Sequence, residues 1–240
     1  MNATAALIIQ RNAATVEWNA TDWFPFDPET TAERCRGRRY FLTKRAMDLP
    51  LAAILLLAAV PLLLAIAIAI KMTSKGPVLF RQTRLGRNGR RFTCLKFRSM
   101  RSNAELVLKR DPVVHAIYIA NGYKLPESDD PRVTRLGRFL RKTSLDELPQ
   151  LVNVLRGEMS LVGPRPIVPA EIAEYGLRAM DFVAALPGLT GKWQISGRSS
   201  VQYPARAQIE LDYVYGWSPR EDVRILLRTL PAVLRRVGAH

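Results

Sequence analysis

The 22 residues from Leu49 to Ile70, LPLAAILLLAAVPLLLAIAIAI, carry no charged side chain. As one helix they would reach about 33 Å, close to the roughly 30 Å hydrocarbon core of a bilayer. The run begins too far from Met1 for a signal peptide, and no A-x-A site follows it before the next basic stretch. A single spanning helix is the simplest reading of its length.

Two features argue for another path. Pro61 lies near the midpoint, removes a helix hydrogen bond and predicts a kink. The flanks are basic on both sides, with Arg34, Arg36, Arg38, Arg39, Lys44 and Arg45 upstream and Lys71, Lys75, Arg81 and Arg84 among those downstream. The net charge is +15, and residues 34–101 alone hold sixteen Lys/Arg against one acid, Asp48. Lys and Arg favour the cytoplasmic side, so a spanning helix would strand one cluster on the wrong face. A helix that enters, bends at Pro61 and leaves by the same face satisfies both. Asp48 and Lys71 would then meet at one interface. The sequence therefore predicts a re-entrant membrane helix over residues 40–75. Ahead of it lies a flexible or interface-lying tail, residues 1–39, and after it a cytoplasmic domain, residues 76–240. A basic surface around an apolar run fits anionic lipid better than nucleic acid.

Composition removes several chemistries. The histidines are His115 and His240 and the cysteines Cys35 and Cys94. That leaves no zinc-spaced cluster, and a Ser-His-Asp triad only if His115 serves. Two cysteines fit a reducing compartment or one bridge. Any metal must be held by oxygen, as Mg²⁺ is.

In the soluble part, PVLFRQTR and RFTCLKFR flank Gly86-Arg87-Asn88-Gly89, a β-hairpin signal. Alternation sets Lys96 and Arg98 on one strand face, two cations together or a plain solvated edge. Residues 105–130 read as a helix, then a loop from Gly122 to Pro131. Leu148, Leu151, Val152 and Leu155 follow the helix period and Gly157 fits its end. Ser144 with Glu147 forms a capping-box pattern, and Asp146 could equally be the cap. Either places Asp146 and Glu147 in a first turn, where anions are favoured. Plain capping is the competing reading.

Gly163-Pro164-Arg165-Pro166 then holds one arginine between two prolines, a preset guanidinium suited to phosphate. Pro187-Gly188-Leu189-Thr190-Gly191 and Ser196-Gly197-Arg198 are turn-rich, and their glycines could admit a phosphate to backbone. No Walker or G-x-G-x-x-G pattern occurs. Residues 218–237 are amphipathic, with an apolar stripe over Leu226, Leu227, Leu230, Val233, Leu234 and Val237 and several arginines. That suits an interfacial helix or core packing equally.

The ordered set KRAMDLPLAAILLLAAVPLLLAIAIAIK, GPVLFRQTRLGRNGRRFTCLKFRSM, DPRVTRLGRFLRKTSLDELPQLVNVLRGEMSLVGPRP, PGLTGKWQISGR and LDYVYGWS resembles the monotopic phosphoglycosyl transferases. These bacterial sugar transferases start glycan assembly on polyprenyl phosphate. The resemblance runs from about Tyr40 to Val237, and size and closing region are similar to the exopolysaccharide-initiating galactose-1-phosphate transferases. It implies an α+β fold, a mostly helical cytoplasmic domain with a β-hairpin, anchored in the bacterial inner membrane by a re-entrant helix bent at a proline. Val60 stands where the family commonly has serine before that proline.

The resemblance implies a UDP-sugar donor, UDP-galactose or UDP-glucose, and undecaprenyl phosphate as acceptor. It makes Asp146 the nucleophile, which forms a covalent aspartyl-phosphosugar and releases UMP. Glu147, with Asp146, would hold Mg²⁺. Lys96, Arg98, Arg141, Arg165 and Arg198 fall on basic motif positions and are assigned to phosphates, Arg165 first. Membrane lipids are expected partners, nucleic acid is not, and a homo-oligomer is left open. A membrane-anchored nucleic-acid binder would need aromatics interleaved with the cations. A scaffold leaves Asp146, Glu147 and Arg165 without a role. A glycosidase wants two carboxylates facing each other across a sugar, which neighbours do not supply.

Overall fold

The computed structural model describes residues 35, 37–120, 125, 130–197 and 201–234. The expected tail lies outside them except for residues 35 and 37–39, of which Cys35 is buried and Arg38 and Arg39 already belong to the first helix. Most of the Gly122–Pro131 loop lies outside them too. The chain is a mixture of helices and sheet, as expected, with a second small sheet beside the expected hairpin. Its first helix, α1, runs Arg38–Thr73 and contains both Pro50 and Pro61. The helix is unbroken in its assignment, about 54 Å of chain at helical rise.

α1 is buried at its two ends and bare between. Tyr40, Lys44, Asp48 and Ala52, four residues apart on one face, are buried, as are Ile66 and Ile70. Ile54, Leu57, Val60, Leu62 and Leu64 are exposed. The N-terminal end is pinned by polar contacts. Lys44 Nζ reaches Asp222 at 2.8 Å and Val162 O at 2.6 Å. Asp48 Oδ1 accepts the Leu161 N–H at 3.1 Å. Arg45 donates to the carbonyls of Val154 and Leu155. So Lys44, Arg45 and Asp48, read from sequence as interface charges, are engaged by protein.

β1 (Leu79–Leu85) and β2 (Arg91–Phe97) form the expected antiparallel hairpin, in register from Leu79↔Phe97 to Leu85↔Arg91. The turn takes left-handed backbone at Asn88 (φ 58°) and Gly89 (φ 71°), which explains the Asn-Gly pair. The single helix expected after residue 105 is two, α2 (Ala104–Arg110) and α3 (Pro112–Ala120). Pro112 drives Asp111 out of helical space, to φ −112° and ψ 102°. The Asp111 carboxylate then caps the new helix through the N–H groups of Val113 and Val114.

α4 (Arg135–Lys142) is capped by Thr134, whose hydroxyl accepts the Gly137 N–H at 2.9 Å. After it come a 3₁₀ turn at Leu145–Glu147, α5 (Gln150–Leu155) and β3 (Ser160–Val162). A 3₁₀ segment at Pro169–Arg178 leads into α6 (Ala179–Phe182). β4 (Gly188–Thr190) pairs with β3 in parallel, which the sequence did not announce. Gly163 and Gly188 serve that close approach: a Cβ at Gly188 would fall 2.1 Å from Gly163 N. These glycines admit backbone to backbone, not a phosphate to backbone.

The chain closes with α7 (Lys192–Ile195), α8 (Ala205–Tyr215) and α9 (Pro219–Leu234). α9 packs on the core along one face and leaves apolar residues exposed on the other. Asp222 and Ile225 are buried against the core, while Val223, Leu227 and Leu230 are exposed beside Arg220, Arg224 and Arg228. Both cysteines are buried free thiols.

Candidate active site

The Thr143–Glu147 turn has a conformation the capping pattern did not predict. Ser144 sits in left-handed backbone (φ 57°) and its side chain caps no helix. α5 starts after Pro149 without a side-chain cap either. Asp146 and Glu147 therefore occupy a separate 3₁₀ turn between α4 and α5, and neither acts as the helix cap. Asp146 is 8% exposed.

Three elements close on this turn. Lys96, near the end of β2, places Nζ 2.7 Å from Glu147 Oε1. Arg165 places Nη2 3.4 Å from the same oxygen. Arg141, at the end of α4, donates from Nε to Ser99 Oγ at 2.8 Å and adds a positive field at Asp146. Burial first, then the Glu147 charge, pushes the Asp146 carboxyl up to about 6; Lys96, Arg141 and Arg165 pull the other way. The result is a desolvated carboxylate among three cations.

The supporting contacts were not read from sequence. Asn153 on α5 clamps β2 by donating to Thr93 O at 2.8 Å and accepting from Leu95 N–H at 3.1 Å. That fixes the strand one residue before Lys96. Glu210 on α8 accepts the Arg165 N–H at 3.0 Å and is also engaged by Tyr175 Oη. The Arg165 guanidinium lies 5.5 Å from the Trp193 ring centroid. Arg84 donates to Pro166 O at 3.0 Å, so the Pro-Arg-Pro bracket is held on both sides of Arg165. The one signal in the sequence was an Asn amid the apolar residues of Leu148–Leu155; that Asn153 and Glu210 are buried is known only from the structure.

Of the other assigned cations, Arg98 goes elsewhere. Its Nη2 donates to Ser74 O and Oγ at 2.8 and 2.7 Å, at the far end of α1. Arg198 lies outside the described residues. Among the described residues no three His, Cys, Asp or Glu converge as a metal cage. Asp146 and Glu147 offer two adjacent carboxylates, oxygen donors of the type that fits Mg²⁺.

A model of the family described as bacterial sugar transferase matches residues 39–236. The chain belongs to that family. It is 47% identical over 203 residues to a UDP-galactose-lipid carrier transferase of Erwinia amylovora, covering 82% of this chain and 41% of that protein. It is 42% identical over 226 residues to the exopolysaccharide production protein ExoY of Rhizobium meliloti, covering 92% of this chain and 97% of that one. A UDP-glucose:undecaprenyl-phosphate glucose-1-phosphate transferase of Caulobacter vibrioides is 42% identical over 207 residues, covering 83% and 72% respectively. The chain thus spans about two fifths of the Erwinia relative and nearly all of ExoY.

Proposed function

We propose that this chain transfers a hexose 1-phosphate from a UDP-sugar to undecaprenyl phosphate at the membrane, the first step of an exopolysaccharide. The observation that carries the reading is the buried Asp146 carboxylate beside Glu147, with Lys96, Arg141 and Arg165 gathered round them. Such a site holds a nucleophile in a positive field suited to a diphosphate. An Asp146 oxygen attacks the β-phosphorus of the UDP-sugar. The bond from that phosphorus to the bridging oxygen breaks, and UMP leaves with the electron pair. The enzyme then carries an aspartyl-phosphosugar. A phosphate oxygen of the acceptor attacks the same phosphorus, the Asp146 O–P bond breaks, and a polyprenyl diphosphosugar forms.

Glu147 and Asp146 are the residues that would hold Mg²⁺, which supplies charge neutralisation to the departing phosphate. Arg165, preset by Glu210 and Trp193, orients the diphosphate. Relatives named for galactose and for glucose leave UDP-galactose and UDP-glucose as the two donors to test.

The membrane reading rests on α1. Both of its ends pack on the one catalytic body while most of its apolar middle is exposed, which supports a re-entrant helix turned at Pro61 with that body on the cytoplasmic face. Purified enzyme with labelled UDP-galactose or UDP-glucose and Mg²⁺ should release UMP, then pass label into organic-soluble lipid. Absence of UMP release from both donors would remove the reading.

A further inference from the structure

At the foot of α1, away from the Asp146 turn, an apolar groove of about 370 Å³ is lined by Ala67, Ile68, Lys71, Met72 and Val78. It is a shallow trough open to one side rather than an enclosed cavity. Its lining is aliphatic except for Lys71, whose ammonium is exposed at the end of the membrane helix.

A second, independent feature adjoins it. Arg98 is fixed to the groove wall, its N–H bonded to Val78 O at 2.9 Å. Only Nη2 of its guanidinium is satisfied, by Ser74. Nε and Nη1 are buried and carry no hydrogen bond. Two orphan donors on a buried cation are costly unless an anion completes them. Gly76 lies over this edge in left-handed backbone (φ 116°), and a Cβ there would fall 2.4 Å from Nη1. The turn covering the guanidinium is thus built without a side chain at its closest point.

The groove wall also shares an apolar cluster with the segment that carries the reacting carboxylate. Ala67 and Val78 pack on the cluster of Ile66, Ile70, Phe97 and Leu140, which Leu145 also joins. Leu145 precedes Asp146, and Leu140 precedes Arg141. Ser99, next to Arg98, accepts the Arg141 N–H. Arg98 is thus the chain neighbour of the residue that holds Arg141, a cation in the field around Asp146.

We propose that this groove is the acceptor subsite: the isoprenoid chain lies along Ala67, Ile68, Met72 and Val78, and Lys71 and Arg98 capture the lipid's phosphate before it passes to Arg141. The proposal rests on the transfer reading above for its occupant. An aliphatic trough ending in two cations, at the end of a membrane helix, matches a single-chain lipid phosphate in both shape and charge.

The test uses the full chain in phosphatidylcholine nanodiscs with a photo-crosslinking residue at Met72. Radiolabelled undecaprenyl phosphate should be captured, and excess unlabelled undecaprenyl phosphate should compete. Phosphatidylglycerol and inorganic phosphate should not. Lys71→Glu, a change at an exposed side chain, and Arg98→Gln should each cut capture and raise the acceptor KM about tenfold or more. The donor KM in the UMP-releasing half-reaction should change far less. Capture that phosphatidylglycerol abolishes equally would mark a general lipid surface and overturn the proposal, as would capture indifferent to both substitutions. Should Arg98→Gln fail to fold, Lys71→Glu decides alone. If the wild type captures lipid but releases no UMP, the transfer reading falls and the groove stands. UMP release with no capture has the reverse meaning.

Discussion

Lys96 Nζ and Glu147 Oε1 lie 2.7 Å apart, joining the end of β2 to the turn that carries Asp146. The pair is about four-fifths buried on each side, at 18% and 19% exposure. Its partner cation Arg165 comes from a third segment, so Glu147 is the point where three parts of the chain meet.

Lys96→Met should therefore cost more in rate than in stability. A partly buried charge-assisted bond is worth about 2 kcal/mol. A cation removed from a developing phosphate charge costs on the order of 100-fold in kcat. Lys96→Arg should recover part of the loss. The check is kcat/KM beside a denaturation midpoint for each variant. Equal, small losses in both would make the pair merely structural.

Asp146→Asn tests the covalent route. The amide keeps the size of the side chain, so folding and membrane association should persist while turnover falls by several orders of magnitude. Mass spectrometry of enzyme incubated with UDP-sugar alone should find one hexose phosphate on the peptide containing Asp146, and none in the variant. Lipid product made by the Asn variant at a near-normal rate would refute the nucleophile.

The same substitution has a pH signature. The folded protein holds the Asp146 carboxyl at about 6 against an ordinary value of 3.8, so the fold disfavours its charged form. The resulting cost is absent below about 3.8, grows through 6 and is complete above it. In EDTA, Asp146→Asn should be the more stable protein at pH 8, by an amount on the order of 3 kcal/mol. That advantage should vanish by pH 4. A stability gap independent of pH would show that the carboxyl is not desolvated.

The metal assignment is separable from these. Activity should need Mg²⁺ or Mn²⁺, vanish in excess EDTA and return on adding either ion. A zinc-selective chelator should do little, since no His/Cys cluster exists among the described residues. Full activity in EDTA would leave Glu147 only its ion pairs with Lys96 and Arg165.

How much of this was legible in the sequence depends on how local each signal was. The hairpin was, because Asn88-Gly89 needs left-handed backbone and little else does. Asp146, Glu147 and Arg165 stood out as residue types in stiff or polar-turn settings. Their surroundings were not legible. Asn153 reads as a polar position on an amphipathic helix, yet it is fully buried and holds β2. Glu210 lies 45 residues from the Arg165 it braces. Arg98 differs in another way: strand alternation grouped it with Lys96, but its guanidinium is held by Ser74 at the C-terminal end of α1, away from the Asp146 turn. Capping was misjudged because Ser144 adopts left-handed backbone, which breaks the box before Glu147 can close it.

Topology provides the last expectation. The N-terminal end of α1 is tied to α9 by the buried Lys44–Asp222 pair, with Tyr213 Oη also on Asp222 at 2.7 Å. The C-terminal end is tied by Ile66 and Ile70 to Phe97 and Leu140. A spanning helix would have to tear one end off, leaving either a buried carboxylate unpaired, a loss of about 3–5 kcal/mol, or an apolar cluster open. Both ends should thus stay on one side of the membrane. In a cysteine-free background, Asn2→Cys and a cysteine on the exposed Lys75 should resist a membrane-impermeant thiol reagent in intact cells and react after permeabilisation. Pro61→Leu restores a helix hydrogen bond at the middle and should favour a straighter helix. The two anchored ends oppose that change, so only a minority of molecules should expose position 2 outside. Adding Lys44→Met, which leaves Asp222 without its cation, should enlarge that minority. Labelling of position 2 in intact cells with Pro61 and Lys44 both present would rule out the re-entrant path.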